Sequence, residues 1–207
     1  QKYVDHYRIL HERHESPPYL FLVRGEPVNE YITGIMNYLK NRMVYLAGPI
    51  QFDENQKNWR TKITEKLEKK FKLNVFDPFE DPKQQWMKKY QEHKNKKEYE
   101  KIQNAAKKCI DKDLTIIDRS DFLIAYLPHK VPTVGTVHEI IHANKNKKPT
   151  LLVTDQNDIG EIPFWYFGIV PLEFMFPNWD QLFLYLKKVK KDEGEMHKRW
   201  NYIHNKI

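Results

Sequence analysis

Three side chains of this 207-residue chain stand where their type and spacing could do chemistry: Glu139, Asp113 and Tyr45. Glu139 lies in Pro132-Thr-Val-Gly-Thr-Val-His-Glu139-Ile-Ile-His-Ala143, directly after the apolar run from Asp121 to Leu127. A buried strand, a short loop, a glycine and then a helix put one carboxylate at the C-terminal edge of a sheet, where open α/β sheets bind ligands. The pattern predicts a helix over Val137–Asn144 with Glu139 in its first turn. The dipole there would keep the carboxylate ionised, and an ionised carboxylate can attack an electrophilic carbon such as an anomeric centre. Gly135 would let a ligand approach the backbone closely. The same spacing also has a structural meaning. Thr136 and Glu139 match a capping box, in which the glutamate bonds back to the N-cap amide.

Asp113 shares a helical face with Ile102, Ala106, Cys109, Ile110, Ile116 and Ile117, while the lysines fall elsewhere. An acid on an apolar stripe is costly unless it is paired or has a task. Asp111, one face over, is expected to be solvated. Tyr45 belongs to Val44-Tyr-Leu-Ala-Gly-Pro49, a first strand ending in a Gly48-Pro49 turn. Alone, that motif reads as core plus turn. His138-Glu139-Ile-Ile-His142 has the spacing of a zinc-binding helix. That motif needs its first histidine well inside a long helix and a third ligand downstream. Here the first histidine is expected in the first turn behind a Gly-Thr loop, so a zinc-protease site is not expected.

The elements that must hold these residues alternate. Strands are predicted at Met43–Ala47, Leu73–Phe76, Phe122–Leu127 and Thr150–Val153, and helices at Asn55–Phe71, Ile102–Ile117 and Val137–Asn144. Trp59, Ile63, Leu67 and Phe71 line one face of the first helix. Asp77-Pro78 stops the second strand. Alternation of this kind argues for α/β architecture with a doubly wound parallel sheet. Residues 1–41 read as an N-terminal appendage, with a short strand at Tyr19–Val23 and a helix at Val28–Leu39. Residues 42–207 form the α/β domain. It carries a lysine-rich insertion at about 80–101 and a C-terminal helical tail from Asn178, an N-cap with Leu182, Tyr185, Leu186 and Val189 as its stripe.

The bulk composition narrows the field. With 40% hydrophobic residues the chain can bury one sizeable core. No apolar run reaches the roughly 18 residues a membrane helix needs. Gln1 starts a charged, aromatic stretch without a signal-peptide pattern, and the single cysteine excludes an intramolecular disulfide, so a cytoplasmic location is expected. The net charge of +7 suits an anionic small substrate or nucleic acid. Acids are interleaved with the lysines throughout, so nucleic acid is the less favoured partner.

Taken together, Tyr45-Leu-Ala-Gly48-Pro, Asp113 running on to Asp121, and Gly135-Thr-x-x-Glu139-Ile resemble the nucleoside 2-deoxyribosyltransferase family over roughly residues 43–155. The resemblance implies a flavodoxin-like sheet, a homo-oligomer whose sites are completed by a neighbour, and a nucleoside or nucleotide substrate. It implies that Glu139 is a nucleophile forming a covalent deoxyribosyl intermediate and that Asp113 handles the leaving base. Tyr45 and Gly48 would line the site, with Asp77, Thr133 and Gly135 also on the substrate. Many of these transferases carry an acid six residues before the nucleophile. Thr133 stands there instead, as in the related N-glycosidases that hold a 5′-phosphate with hydroxyls. Transfer to a second base, hydrolysis of a nucleoside 5′-monophosphate, and non-catalytic nucleotide or nucleic-acid binding are the three functions this leaves.

Overall fold

The computed structural model describes residues 37–207, apart from 51–55, 82–84, 132, 157, 202 and 205–207. The strand expected at Tyr19–Val23 and most of the helix expected at Val28–Leu39 lie outside the described residues. Asn37 to Asn41 pack on the α/β body. Leu39 is fully buried, the Tyr38 amide donates to the Lys190 carbonyl at 3.0 Å, and Asn37 Nδ2 donates to the Phe71 carbonyl at 2.9 Å. Residues 38–41 form a turn, where the expected helix would have reached Leu39.

Five strands form one sheet: β1 (Met43–Ala47), β2 (Asn74–Phe76), β3 (Phe122–Leu127), β4 (Thr150–Thr154) and β5 (Met175–Phe176). All four pairings are parallel, and the order is β2-β1-β3-β4-β5. This is the flavodoxin-like doubly wound arrangement, whose topological switch lies between β1 and β3. Near-continuous Val, Leu, Ile and Phe in β1, β3 and β4 suit strands covered on both faces. β5 was not expected from the sequence. It is two residues long, too short to show a pattern.

Register sorts the side chains. Tyr45 pairs with Phe76 and Leu123, so these three share one face. Tyr126, three residues on from Leu123, falls on the other. On the Tyr45 face pack α3 (Tyr99–Arg119) and α4 (Val134–Lys145). On the Tyr126 face lie α1 (Gln56–Lys66) and α6 (Trp179–Lys191), with Trp59 and Trp179 against Tyr126 at ring separations of 4.8 and 5.5 Å. α2 (Gln85–Asn95), inside the lysine-rich insertion, packs on α3, and the short α5 (Phe164–Phe167) follows β4. Asn178 caps α6 as expected, accepting from the Gln181 amide at 3.0 Å. Leu182, Leu186 and Val189 are fully buried.

Two helices depart from expectation. The helix expected through Phe71 is α-helical only to Lys66. It continues as a π-helical turn over Leu67–Phe71, closed by Lys72 in the left-handed region at φ 60°. The wider turn leaves both Leu67 and Phe71 fully buried. The second difference bears on the site. α4 begins at Val134, three residues earlier than the sequence predicts, with Thr133 as its N-cap. The Val137 amide already donates to the Thr133 carbonyl at 2.9 Å.

Candidate active site

The early start of α4 removes the capping box. Thr136 is inside the helix and buried, and Glu139 is its sixth residue. Its carboxylate faces the sheet: the Tyr45 hydroxyl donates to Glu139 Oε1 at 2.6 Å. The first-turn dipole argument falls with the capping box, because the field of a helix terminus fades beyond the first turn. His138 is likewise not in the first turn, which removes that argument against a zinc helix, but the side chains diverge. His138 is exposed, His142 Nε2 meets Asp118 Oδ1 at 2.7 Å, and Glu139 is on Tyr45.

Asp113 arrives from α3. It is half-buried and hydrogen-bonded to the same Tyr45 hydroxyl. The stripe that carries it differs from expectation. Ala105 and Ile117 are buried, whereas Ala106 and Ile110 are exposed, Ile110 by 44%. The first half of α3 stands largely in solvent, covered on one side by α2. Asp111 is exposed, as expected. Burial, with the Glu139 and Asp113 carboxylates beside it, pushes the Tyr45 hydroxyl far above its ordinary pKa, so it stays protonated. The Glu139 and Asp113 carboxyl groups thus converge on one hydroxyl.

Gly48 ends β1 under an indole. A Cβ there would stand 2.7 and 2.9 Å from Trp59 ring carbons and 3.3 Å from Arg60 Nη2. The Trp59 ring cannot retreat easily, because it stacks on Trp179 at 5.7 Å and packs on Tyr126. The glycine is therefore a close-approach position and not only a turn. Gly48→Ala is expected to cost about 1–3 kcal/mol in a denaturant titration, the scale of overpacking. Wild-type stability in that variant would mean that the ring yields.

Asp77 and Thr133 are placed differently from a simple lining role. Asp77 Oδ1 accepts from Arg60 Nη1 at 2.5 Å and from the Phe79 amide at 2.9 Å, so the aspartate braces the end of β2. A cavity of about 450 Å³ opens beside it between α1 and the turn after β2, with Thr61, Thr64, Phe76 and Glu80 in its wall. Tyr45, Asp113 and Glu139 are not part of that wall. Thr133 makes no side-chain cap; its hydroxyl bonds that of Tyr166 on α5, which burial raises in pKa. Gly135 is exposed, with open space where a Cβ would stand. Asp121 ties the opposite edge of the sheet, accepting from the Met43 amide at 2.6 Å and pairing with Arg42.

Sequence reasoning missed Arg60 and Tyr166. Arg60 is 1% exposed. It donates to the Leu46 carbonyl at 3.1 Å, the Gly48 carbonyl at 2.9 Å and Asp77. A signal existed: Arg60, Ile63 and Leu67 fall at i, i+3 and i+7, so a charge stands on the apolar stripe of α1. For Tyr166, in the all-aromatic Phe164–Phe167, no signal separated it from its exposed neighbours Phe164 and Trp165.

A parallel sheet with two carboxyl groups converging on a strand hydroxyl at its switch point has the form of an α/β ligand site. The chain belongs to the nucleoside 2-deoxyribosyltransferase family, whose model matches residues 44–177 and so reaches past β4 to take in α5 and β5. Among solved structures it is similar to a 2-deoxyribosyltransferase from Bacillus psychrosaccharolyticus, with 18% identity and a TM-score of 0.47 over 70% of this chain and 95% of that one. A 2-desoxiribosyltransferase from Leishmania mexicana shares 20% identity, with a TM-score of 0.40 over 56% of this chain and 65% of that one. A CMP N-glycosidase from Clostridium botulinum shares 17%, with a TM-score of 0.39 over 72% and 97%. No curated protein matches the chain. Among the described residues no helix is long and apolar enough to cross a membrane.

Proposed function

We propose that the chain cleaves the N-glycosidic bond of a 2′-deoxynucleoside through a covalent deoxyribosyl ester on Glu139 and transfers the sugar to a second base. The observation that carries this is the Tyr45 hydroxyl shared by two carboxyl groups. A phenol has one proton to give. Tyr45 gives it to Glu139 Oε1, and the Asp113 carboxyl group lies beside the same hydroxyl. On this reading Glu139 is the ionised nucleophile and Asp113 the protonated acid, the division of labour a glycosidic bond requires. Their convergence on one hydroxyl suits double displacement with retention, which uses two carboxyl groups close together.

The steps balance. Glu139 attacks C1′, and the electrons of the C1′–N bond leave with the base, which takes the proton of Asp113. An acceptor base then attacks C1′ through a ring nitrogen, passes its proton to Asp113 and frees Glu139. Water in place of the acceptor gives hydrolysis. Gly48 lets the chain end of β1 lie close to the sugar, and Gly135 does the same at the start of α4. A homo-oligomer and the absence of any cofactor belong to the same reading. The test is incubation with the four 2′-deoxynucleosides and their 5′-monophosphates, with and without an acceptor base, following base release. Release accelerated by the acceptor identifies a transferase; the same rate with or without it identifies a hydrolase.

A second reading, hydrolysis of a nucleoside 5′-monophosphate, draws on Thr133. It stands at the N-terminus of the 12-residue α4 with its hydroxyl turned to Tyr166 and away from capping. A helix start with a pair of hydroxyls suits a phosphate. On this reading 5′-monophosphates outcompete the matching nucleosides, and salt weakens them selectively. Thr133→Asp then moves preference toward nucleosides by about tenfold or more through like-charge contact. Wild-type preference for nucleosides, insensitive to salt, rejects it.

A further inference from the structure

We propose that Arg60 is a positioning residue for this reaction: it ties the tips of β1 and β2 behind the Gly48 turn and supplies the buried positive charge that keeps Glu139 ionised. This inference rests on the reading of Glu139 as nucleophile.

The geometry comes first. A single guanidinium bonds the carbonyls of Leu46 on β1 and Gly48 just after it, and the carboxylate of Asp77 just after β2, while the Trp59 ring lies at 4.6 Å. Only the planar fork of arginine reaches two carbonyls and a carboxylate together. Burial pulls its pKa below the ordinary arginine value and pushes Asp77 above the ordinary aspartate value, with the attraction between them opposing both shifts. An ion pair held against such desolvation is a poor source of stability. Its value lies in where it puts things, and what it holds is the turn that carries Gly48.

The electrostatic part follows from the true start of α4. Glu139 is beyond the first turn, so the helix terminus does little to favour its charged form. The titratable groups facing it are the Tyr45 hydroxyl from β1, the Asp113 carboxyl from α3 and the Arg60 guanidinium from α1, with Asp77 behind Arg60. On its own helix His138 is exposed and His142 is turned to Asp118. Among these groups, Arg60 brings the positive charge. It interacts with Glu139 across the tip of β1.

The experiment is a pH profile of kcat/KM on whichever 2′-deoxynucleoside or 5′-monophosphate wild type turns over best, for wild type, Arg60→Lys, and Arg60→Met combined with Asp77→Asn. The double variant leaves no buried carboxylate unpaired and keeps an acceptor for the Phe79 amide, which protects folding; a melting curve checks it. The expected result is an acid limb displaced upward by about one pH unit or more in the double variant, the size of shift a nearby opposite charge produces. Arg60→Lys keeps the acid limb in place but loses kcat by about tenfold, because an ammonium keeps the charge without the planar fork. An unmoved acid limb in the folded double variant overturns the charge role, and wild-type kcat in Arg60→Lys overturns the positioning role. Glu139→Gln is measured alongside. If it keeps activity, the nucleophile reading is what fails; if it is inactive, the Arg60 results stand or fall by themselves.

Discussion

Glu139→Gln is expected to lower kcat/KM by roughly 10⁴-fold or more, the scale on which enzymes respond to loss of a covalent nucleophile. The same variant is expected to melt close to wild type. Glutamine offers Tyr45 a carbonyl in place of the carboxylate oxygen at 2.6 Å, and exchanging a charged for a neutral acceptor costs about 1 kcal/mol. No N-cap amide loses its partner, because Glu139 does not reach back to the start of α4. Activity and melting temperature measured on one preparation therefore separate the readings. A fall in both would mean that Glu139 holds the fold, and activity within tenfold of wild type would rule out the ester intermediate. Mass spectrometry of wild type quenched with a 2′-deoxynucleoside should find the chain heavier by one deoxyribosyl group, and Glu139→Gln should lack the adduct.

Asp113→Asn is expected to slow release of ordinary bases by about 10²–10⁴-fold, the range of a single general acid. The signature is dependence on the leaving group. A base that departs without a proton has no use for the acid, so its release should be nearly unaffected. Asparagine can still hydrogen-bond the Tyr45 oxygen through its amide, so the site should keep its shape. Equal slowing across leaving groups would place Asp113 in binding instead. Tyr45, protonated throughout by burial, contributes no limb of its own to the pH profile.

Much of this arrangement was legible in the residues. The Tyr45 strand, the Asp113 helix and the Glu139 loop-to-helix unit follow from periodicity, and their meeting at one sheet edge follows from α/β topology. The start of α4 did not. Thr133 and Thr136 are both good N-caps three residues apart, and Val and Gly between them favour neither. The choice was made by tertiary partners: Tyr45 takes the Glu139 carboxylate and Tyr166 takes the Thr133 hydroxyl. That Asp77 pairs with Arg60 is not legible in the sequence, because the two are 17 residues apart on different elements. Which apolar residues of α3 face inward depends on α2, a neighbour invisible to a helical wheel.

The stacking of Trp59 has an optical consequence. Its indole lies over the Gly48 backbone, against Trp179 and Tyr126, with the Arg60 guanidinium on its ring and no hydrogen-bond partner for Nε1. Indole emission responds to such neighbours in both colour and intensity. A nucleoside that displaces the end of β1 by even a few tenths of an ångström changes the spacing of that stack. The chain thus carries its own reporter of site occupancy, readable by intrinsic fluorescence in Glu139→Gln, where ligand can bind without being consumed.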